Sequence, residues 1–464
     1  MTHGSGQVRV YKFGGTSVGS AERMRGAARL VAGCPGTPVV VVSAVAGVTD
    51  RLEALRTLAE KGNEEGWRGE LEAIRALHLE ILADLTGEGS DASEAGARIE
   101  EQVGEIRTRL ERVQDDPGEG SGGPWETVGH QVAALGEDLS TILLETALRQ
   151  EGVGALRIDA REVVRTDWQN GRGIPRDEET YRRARAALTP LVEAGTVPVL
   201  QGYIGATEDG RTTTLGRGGS DFTAAMVGAA LGAPEVTIWT DVDGIHTSDP
   251  RIVPGARLLP ELGFEEAVEL AYFGARVIHP AAAKHAAARN VSLRIRNSFA
   301  PDREGTLIRA DRREGPSVAA IAHRGGVVLI KVRSRPLFMA HGFLARVFEV
   351  LSRHHVPVDL VATSHTSTGF TLDREEELDA VVGDLQELAE VTVRRGMATV
   401  TVVGSGLLGR PGTTGRIFRV LEDRSVHLIS QASDMSVSFL VDEDEAPEAV
   451  RRLHEELIEQ GGWE

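Results

Sequence analysis

The 464-residue chain has a single cysteine, Cys34, so it forms no internal disulfide and cannot build a zinc site from thiolates. It is poor in positive charge. Lys plus Arg number 51 against 69 Asp plus Glu, a formal net charge of −18, with no basic run. A chain of that sign is a poor general partner for nucleic acid. It also lacks a long apolar run: the longest, near Val39–Val48, falls far short of the roughly 20 residues that cross a bilayer. Met1–Val10 carries neither the basic start nor the apolar stretch of a secretory signal. A cytoplasmic location, with no membrane and no nucleic-acid partner, is therefore the expectation. No G-x-x-x-x-G-K-[ST] segment exists, which excludes a Walker A loop. Glycine is what the chain has in excess, 54 residues or about 12% against an average near 7%. Such an excess marks tight turns and close backbone approach to ligands. The length gives a prior of about three domains.

The rest is organised by alternation. A strand, Val8–Phe13, runs straight into Gly14-Gly-Thr-Ser-Val-Gly19, and a helical pattern follows over Ala21–Ala32 with Ser20 placed to cap it. Pro38–Val45 is a β-branched run that suits a strand covered on both faces. Strand, helix, strand at this spacing is a βαβ unit. From about Asp50 to Asp116 apolar residues recur at helical spacing, as in Leu52, Leu55, Leu58 and Leu71, Ile74, Leu77. This predicts an inserted helical subdomain over about residues 50–124, closed by the flexible link Pro117–Pro124 and followed by a long helix, Trp125–Arg149. Further strands are predicted at Val197–Ile204, Glu235–Thr240 and Val291–Arg296, giving an αβα sandwich over residues 1–310. The remainder repeats: Arg346–Leu351 resembles Arg416–Leu421, and Gly369–Asp373 has a counterpart in Ser438–Asp442. Each copy reads as a ferredoxin-like βαββαβ module, one over 318–390 and one over 391–464.

Four segments carry groups that suit chemistry. In Lys12-Phe13-Gly14-Gly15-Thr16-Ser17, glycines between a strand and a helix let backbone N–H groups approach an anion, the helix start adds positive charge, and Lys12 reaches the same place. The alternative is a tight turn with a solvated lysine. In Thr212–Asp221, Arg217 offers a planar fork for carboxylate or phosphate among three glycines, and Asp221 is placed to orient Lys12 or a metal. Here the alternative is a hairpin exit with Ser220 or Asp221 as a helix cap. Glu137, after Gly136, suits a substrate ammonium, although a lone helical Glu is usually a solvated surface residue. Trp239–Arg251 places acidic and hydroxyl groups after a strand, where α/β sheets bind ligands, but Asp-Gly and Asp-Pro also make plain turns. Gly404-Ser-Gly-Leu-Leu-Gly409 matches the dinucleotide fingerprint, yet Pro411 and Gly412 interrupt the helix that the fingerprint needs, and the NAD reading is rejected. His279, His285, His354, His355 and His365 show no metal spacing, and no metal site is expected.

KFGGTSVG (Lys12–Gly19), TTTLGRGGSD (Thr212–Asp221), IWTDVDGIHTSDPR (Ile238–Arg251) and AYFGARVIHP (Ala271–Pro280), in that order, together resemble the aspartate kinases of the amino acid kinase superfamily. The C-terminal repeat resembles their paired ACT domains, and the helical insertion resembles the single-chain, homo-oligomeric branch typified by lysine-sensitive enzymes. The resemblance implies ATP as co-substrate with Mg²⁺, and L-aspartate as acceptor. It places Lys12, Phe13, Gly14 and Gly15 on the ATP phosphates, and Ser43 and Thr49 on aspartate. Glu137 would pair with the α-ammonium and Arg217 with a carboxylate. Ser220 would complete the pocket and Asp221 would orient Lys12. Thr240, Asp241, His246, Arg251 and Arg276 would surround the nucleotide. An amino-acid effector, lysine or threonine, would meet Met339, Val358, Asp359, Thr363 and Ser364, with Asp359 taking its ammonium, and the modules would join copies into a homodimer or homotetramer.

There are departures. His246 stands where the family often has Tyr, Arg276 where it has Lys, and His365 where lysine-sensitive members usually have Glu, which leaves lysine, threonine or no effector open. The chemistry agrees with the residues. An aspartate β-carboxylate, with a reference pKa near 4, is already a nucleophile at neutral pH. Transfer then needs two anions brought together and the charge between them stabilised. A kinase for a glutamate-type acid and a catalytically silent ACT-based sensor are the competing expectations.

Overall fold

The computed structural model describes residues 8–460, apart from 88, 116–123, 170, 275–277, 311–316, 335–340, 374–377, 406 and 408–411. By contact it divides into two units. The first comprises Met1–Ile245, Pro260–Phe264 and Val277–Asp311, and the second His246–Leu259, Glu265–Arg276 and Arg312–Glu464.

The first unit contains β1 (Val10–Phe13), β2 (Val39–Val42), β3 (Ala155–Ile158), β4 (Thr166–Gln169), β5 (Arg172–Pro175), β6 (Val197–Gln201), β7 (Ile204–Ala206), β8 (Thr212–Thr214), β9 (Glu235–Thr240), β10 (Glu261–Gly263), β11 (Ser292–Asn297) and β12 (Thr306–Arg309). Eight of these form one sheet in the order β10-β12-β11-β9-β1-β2-β6-β3. Every pair is parallel except β11 with β12. β2 is four valines buried on both faces, as a strand between two helical layers requires. Helix Gly219–Leu231 is apolar almost all round, is buried along most of its length, and stops at Gly232 in the left-handed region (φ +64°).

The insertion is helical, as expected, over Val48–Glu60, Glu64–Thr86 and Ser90–Asp115. It is not a subdomain with its own interior. Leu52, Ile74, Ile99 and Leu110 share one core with Phe13, Val40 and Val42 of the sheet and Leu139 of helix Pro124–Gln150. Its helices each expose a charged face and bury the other against one another, the long helix and the sheet. Of the predicted link, 117–123 lie outside the described residues, and Pro124 already opens the helix.

The second unit adds β13 (Ala320–Arg333), β14 (Val361–Thr363), β15 (Ser367–Leu372), β16 (Glu390–Val403), β17 (Leu428–Ser433) and β18 (Ser436–Asp442), in one six-stranded sheet ordered β14-β15-β13-β16-β18-β17. The two modules are present, but they are not consecutive along the chain. Residues 391–464 supply only a strand, a helix, two strands and a helix. The missing strand comes from the first half of β13, where Ala320–Arg324 pairs with Thr399–Val403. In return the first half of β16, Glu390–Arg394, pairs with Leu329–Arg333. The register slips between the two halves at Gly325-Gly326, with Gly326 at φ +70° and Gly396 at φ +67°. The cores follow the strands: Ile321 packs with Val400, Phe439 and Leu453, whereas Val391 and Val393 pack with Val328, Val347 and Phe370. Helix Thr413–Val420 begins after Gly412, and 406 and 408–411 of the dinucleotide-like segment and its sequel lie outside the described residues.

Candidate active site

Parallel register brings four strand ends side by side. Phe13 is opposite both Val42 and Trp239, and Val42 is opposite Gln201. The segments that leave this edge are Gly14-Gly15, Ser43–Gly47, Gly202-Tyr203 and Asp241–Gly244. β1 lies where the strand order reverses, with β2 and β6 on one side and β9 and β11 on the other. Open α/β sheets bind ligands at such a point.

Lys12 is the last polar side chain of β1, and its Nζ lies 2.7 Å from Oδ1 of Asp221 in the first turn of helix Gly219–Leu231. Both side chains keep only about a tenth of their exposure, 12% and 11%. The orienting role foreseen for Asp221 thus has a direct contact behind it. The Phe13 ring is core, stacked on Trp239 at 6.3 Å, so only its backbone faces the loop. A Cβ on Gly14 would lie 3.8 Å from Nζ of Lys12, and one on Gly15 only 2.7 Å from the Ala44 carbonyl. One expectation for this loop changes: the N–H of Gly14 is already donated to Trp239 O (3.0 Å), and that of Ser17 to Gly14 O. Helix Ala21–Ala32 begins where expected, with Ser20 as cap, and a 3₁₀ turn, Gly15–Val18, stands between it and the strand. Ser17 Oγ fixes that turn by donating to Trp239 O (3.2 Å) and bonding Ser298 Oγ (2.8 Å).

Glu137 is not a solvated helical Glu. It is buried in helix Pro124–Gln150, which approaches the Ser43–Gly47 loop through Gly136, where a Cβ would sit 2.6 Å from Cβ of Ala44. Ser140 Oγ pins the same loop by donating to Ser43 O at 2.8 Å. Burial pushes the Glu137 carboxyl up to about 8. A hydrogen bond from the Ala44 backbone offsets this in part, the neighbouring Asp138 adds to it, and Lys12 opposes it. Thr49 is exposed in the first turn of helix Val48–Glu60.

The Thr212–Asp221 loop is shaped by Gly216 (φ +76°) and Gly218 (φ +73°). Arg217 is exposed between them and makes no ion pair among the described residues. Ser220 faces Gly202, where a Cβ would come within 2.4 Å of the Ser220 Cβ. Two residues that sequence reasoning passed over hold this loop. Tyr203, a non-glycine at φ +69°, accepts from Leu215 N (2.9 Å) and donates its own N–H to Thr223 Oγ1 (3.2 Å). His279, expected as a satisfied histidine, caps helix Pro280–Ala288 and packs where a Cβ on Gly218 would be, 2.1 Å from its own Cβ. Burial lowers its pKa, with Asp221 and Arg217 close enough to act on it in opposite senses. Only the strained backbone of Tyr203 and the packing of His279, neither readable from sequence, distinguish them.

Thr240 and Asp241 end β9. Thr240 O accepts from both N and Oγ of Ser298 (2.8 and 3.0 Å), and Asp241 is exposed. His246 and Arg251 belong to the second unit. Arg251, expected on the nucleotide, has its guanidinium closed on Asp249 at 2.6 Å. Arg276 and Met339 lie outside the described residues. Asp359 is also not free: in the second unit it pairs with Arg324 Nη2 and accepts from the Tyr272 hydroxyl, both at 2.7 Å. Val358 precedes it, Thr363 ends the edge strand β14, and Ser364 Oγ is used in the turn to Ser367.

Residues 7–297 match the model of the amino acid kinase family, and residues 400–457 match an ACT domain. The chain is 36% identical to lysine-sensitive aspartokinase 3 of Escherichia coli, over 98% of its own length and all of that protein's. It is 34% identical to the chloroplastic aspartokinase 1 of Arabidopsis thaliana, over 97% of this chain and 80% of that one. The chain belongs to the aspartokinases. Its structure is similar to that of E. coli aspartokinase III solved with aspartate and ADP (TM-score 0.83, 35% identity, 97% of this chain and 100% of that one). It is equally similar to the same enzyme solved with lysine and aspartate (TM-score 0.83).

The contact at Gly136 can be tested in this aspartokinase. Gly136→Ala should force helix and loop apart at a cost of about 1–3 kcal/mol. It should also raise the KM for aspartate, read from thermal unfolding and steady-state kinetics of the same preparation.

Proposed function

We propose that the first unit transfers the γ-phosphoryl group of ATP to the β-carboxylate of L-aspartate, giving 4-phospho-L-aspartate. The observation that carries this reading is the Lys12–Asp221 pair at the switch point, within electrostatic reach of buried Glu137. Lys12 spans the transferring phosphoryl group and Asp221 holds it in place. Arg217 takes a substrate carboxylate, with Ser43, Thr49 and Ser220 lining the pocket. Gly14, Gly15, Thr240 and Asp241 face the nucleotide. No general base is needed, because the acceptor is already ionised. The contribution of the protein is to position two anions and cancel the charge between them. Mg²⁺, as the counter-ion of the nucleotide, would enter with the ATP phosphates. No described helix is long and apolar enough to cross a membrane.

The second unit, on this reading, binds lysine as feedback effector, as the E. coli relative does, and joins copies into a homodimer or homotetramer. Its edge strands β14 and β17 support assembly by exposing Val361 and Ile429. The lysine ammonium takes the Asp359 carboxylate from Arg324 and Tyr272.

Three outcomes test the reading. Protein supplied with ATP, Mg²⁺, aspartate and hydroxylamine should form aspartyl hydroxamate, and Lys12→Ala should lower kcat by about 10²–10³-fold; a variant near wild-type turnover removes Lys12 from its role. Because Glu137 sits at about 8, its carboxyl is protonated in the free enzyme below that pH, and an ammonium prefers the carboxylate. The KM for aspartate should then fall as pH rises, by about tenfold per unit up to pH ~8, and level off above it. Finally, Tyr272→Phe removes one hydrogen bond that competes for Asp359. Half-inhibition by lysine should need roughly tenfold less effector, the equivalent of one hydrogen bond to a charged group.

A further inference from the structure

Every residue from Ala134 to Leu148 is buried, yet this stretch contains Glu137 and Asp138 side by side. The mechanism uses the first and leaves the second unexplained. Asp138, 5% exposed, accepts from four groups. Arg157 Nη2 donates to its Oδ1 at 3.0 Å, Arg161 binds both oxygens at 3.0 and 2.7 Å, and Gln201 Nε2 donates at 2.8 Å. These partners stand at the roots of the aspartate pocket. Gln201 ends β6 and leads into Gly202 and Tyr203, against which Ser220 and Gly219 pack. Arg161 Nε donates to Thr212 Oγ1 (3.1 Å), the first residue of the strand that runs into the Arg217 loop. Arg157 Nε returns to Thr141 on the same helix as Glu137 (3.1 Å).

We propose that Asp138 is a positioning residue for aspartate: its carboxylate locks Glu137, the Gly202 turn and the Arg217 loop to one another, and its two guanidinium partners set the charge that Glu137 faces. The proposal rests on reading Glu137 as the ammonium site. It separates two adjacent carboxylates by environment: Asp138 is neutralised by two cations, while Glu137 is left without one of its own until substrate arrives. Among the described residues, the charged and titratable groups that act on Glu137 or on its neighbours are Lys12 of β1 with its partner Asp221, Tyr203 after β6, Asp138 with Arg157 and Arg161, Asp159 on Arg161, and Glu53 and Arg56 of helix Val48–Glu60, which act on Tyr203.

The test uses two variants that change this charge in opposite directions. Asp138→Asn removes the carboxylate from Arg157 and leaves Arg161 only Asp159 (3.2 Å), favours ionised Glu137, and should move the pH at which the aspartate KM levels off below its wild-type value. It should also raise that KM about tenfold at high pH through lost alignment, with the KM for ATP within about twofold. Arg157→Gln leaves Asp138 less neutralised and should move the same pH upward. Shifts of opposite sign are not produced by loosened packing. Unmoved pH profiles, or shifts of the same sign, overturn the proposal. If Asp138→Asn does not fold, Arg157→Gln decides alone, and an unmoved profile overturns it. Glu137→Gln separates the two levels: an unchanged aspartate KM there removes the reading underneath, whereas a raised KM with unmoved profiles in the other two variants overturns this inference only.

Discussion

A cation held almost wholly out of bulk water at the end of a central strand is the constraint on which the site depends. Lys12 on β1 cannot keep a full hydration shell among Gly14, Gly15 and the helix start at Gly219, and an unpaired ammonium there would be costly. Asp221 meets that need at 2.7 Å before any substrate arrives. On the proposed reading, the same site is where a chain of net charge −18 gathers anions. Binding is decided by local fields in a water-poor cleft, and distant surface carboxylates are screened beyond about 10 Å. Asp221 also sets the limit on Lys12. A bound polyphosphate adds negative charge beside an ammonium already compensated once, so the cation is fixed in place rather than free to follow the leaving group.

Close approach of backbone is the second requirement, and four glycines meet it in four different contacts. Gly15 admits the Ala44 carbonyl, Gly136 the Ala44 side chain, Gly202 the Ser220 side chain, and Gly218 the ring of His279. Each joins segments that are distant in sequence, and only Gly218 also needs its positive φ. The loops around Lys12 therefore interlock, and the geometry of one is transmitted to the others by contact. Tyr203 adds a residue in the left-handed region that most side chains avoid, held there by hydrogen bonds to Leu215 and Thr223.

What was legible in the sequence follows from this division. Lys12-Phe-Gly-Gly and Arg217-Gly-Gly-Ser-Asp are contiguous, and contiguous chemistry after a strand can be read without knowing the fold. The βαβ start, the helical insertion and the repeat were legible because periodicity is local. Asp138 was not legible, because its meaning lies in Arg157, Arg161 and Gln201, which reach it from other elements. Its one local signal was a second acid directly beside Glu137. Arg251 and Asp359 were read as free ligand-binding charges, but Asp249, Arg324 and Tyr272 already hold them. Which carboxylate captures which cation is decided by tertiary distance, which sequence spacing does not carry. The start of helix Ala21–Ala32 was placed correctly, but the 3₁₀ turn ahead of it depends on Ser17 meeting Trp239 and Ser298, more than 200 residues away.

The pairing of strands in the second unit shows the same limit and has a mechanical consequence. A repeat in sequence suggests two modules in series, each complete. Instead β13 and β16 each run through both modules, and each module borrows a strand from the other end of its partner. Neither core can change the position of its central strands without moving a strand that the other core packs on. The glycines at 325, 326 and 396 lie where the register shifts, twice between Arg324 and Leu329, between the halves, where a slip is absorbed with least loss of pairing. Arg324 sits directly before these shifts and holds Asp359. On the proposed reading, occupation of Asp359 by another cation would leave Arg324 to Asp373 (2.7 Å), directly beside the point where the two cores are coupled, which is how ligand binding in one module would reach the packing of both.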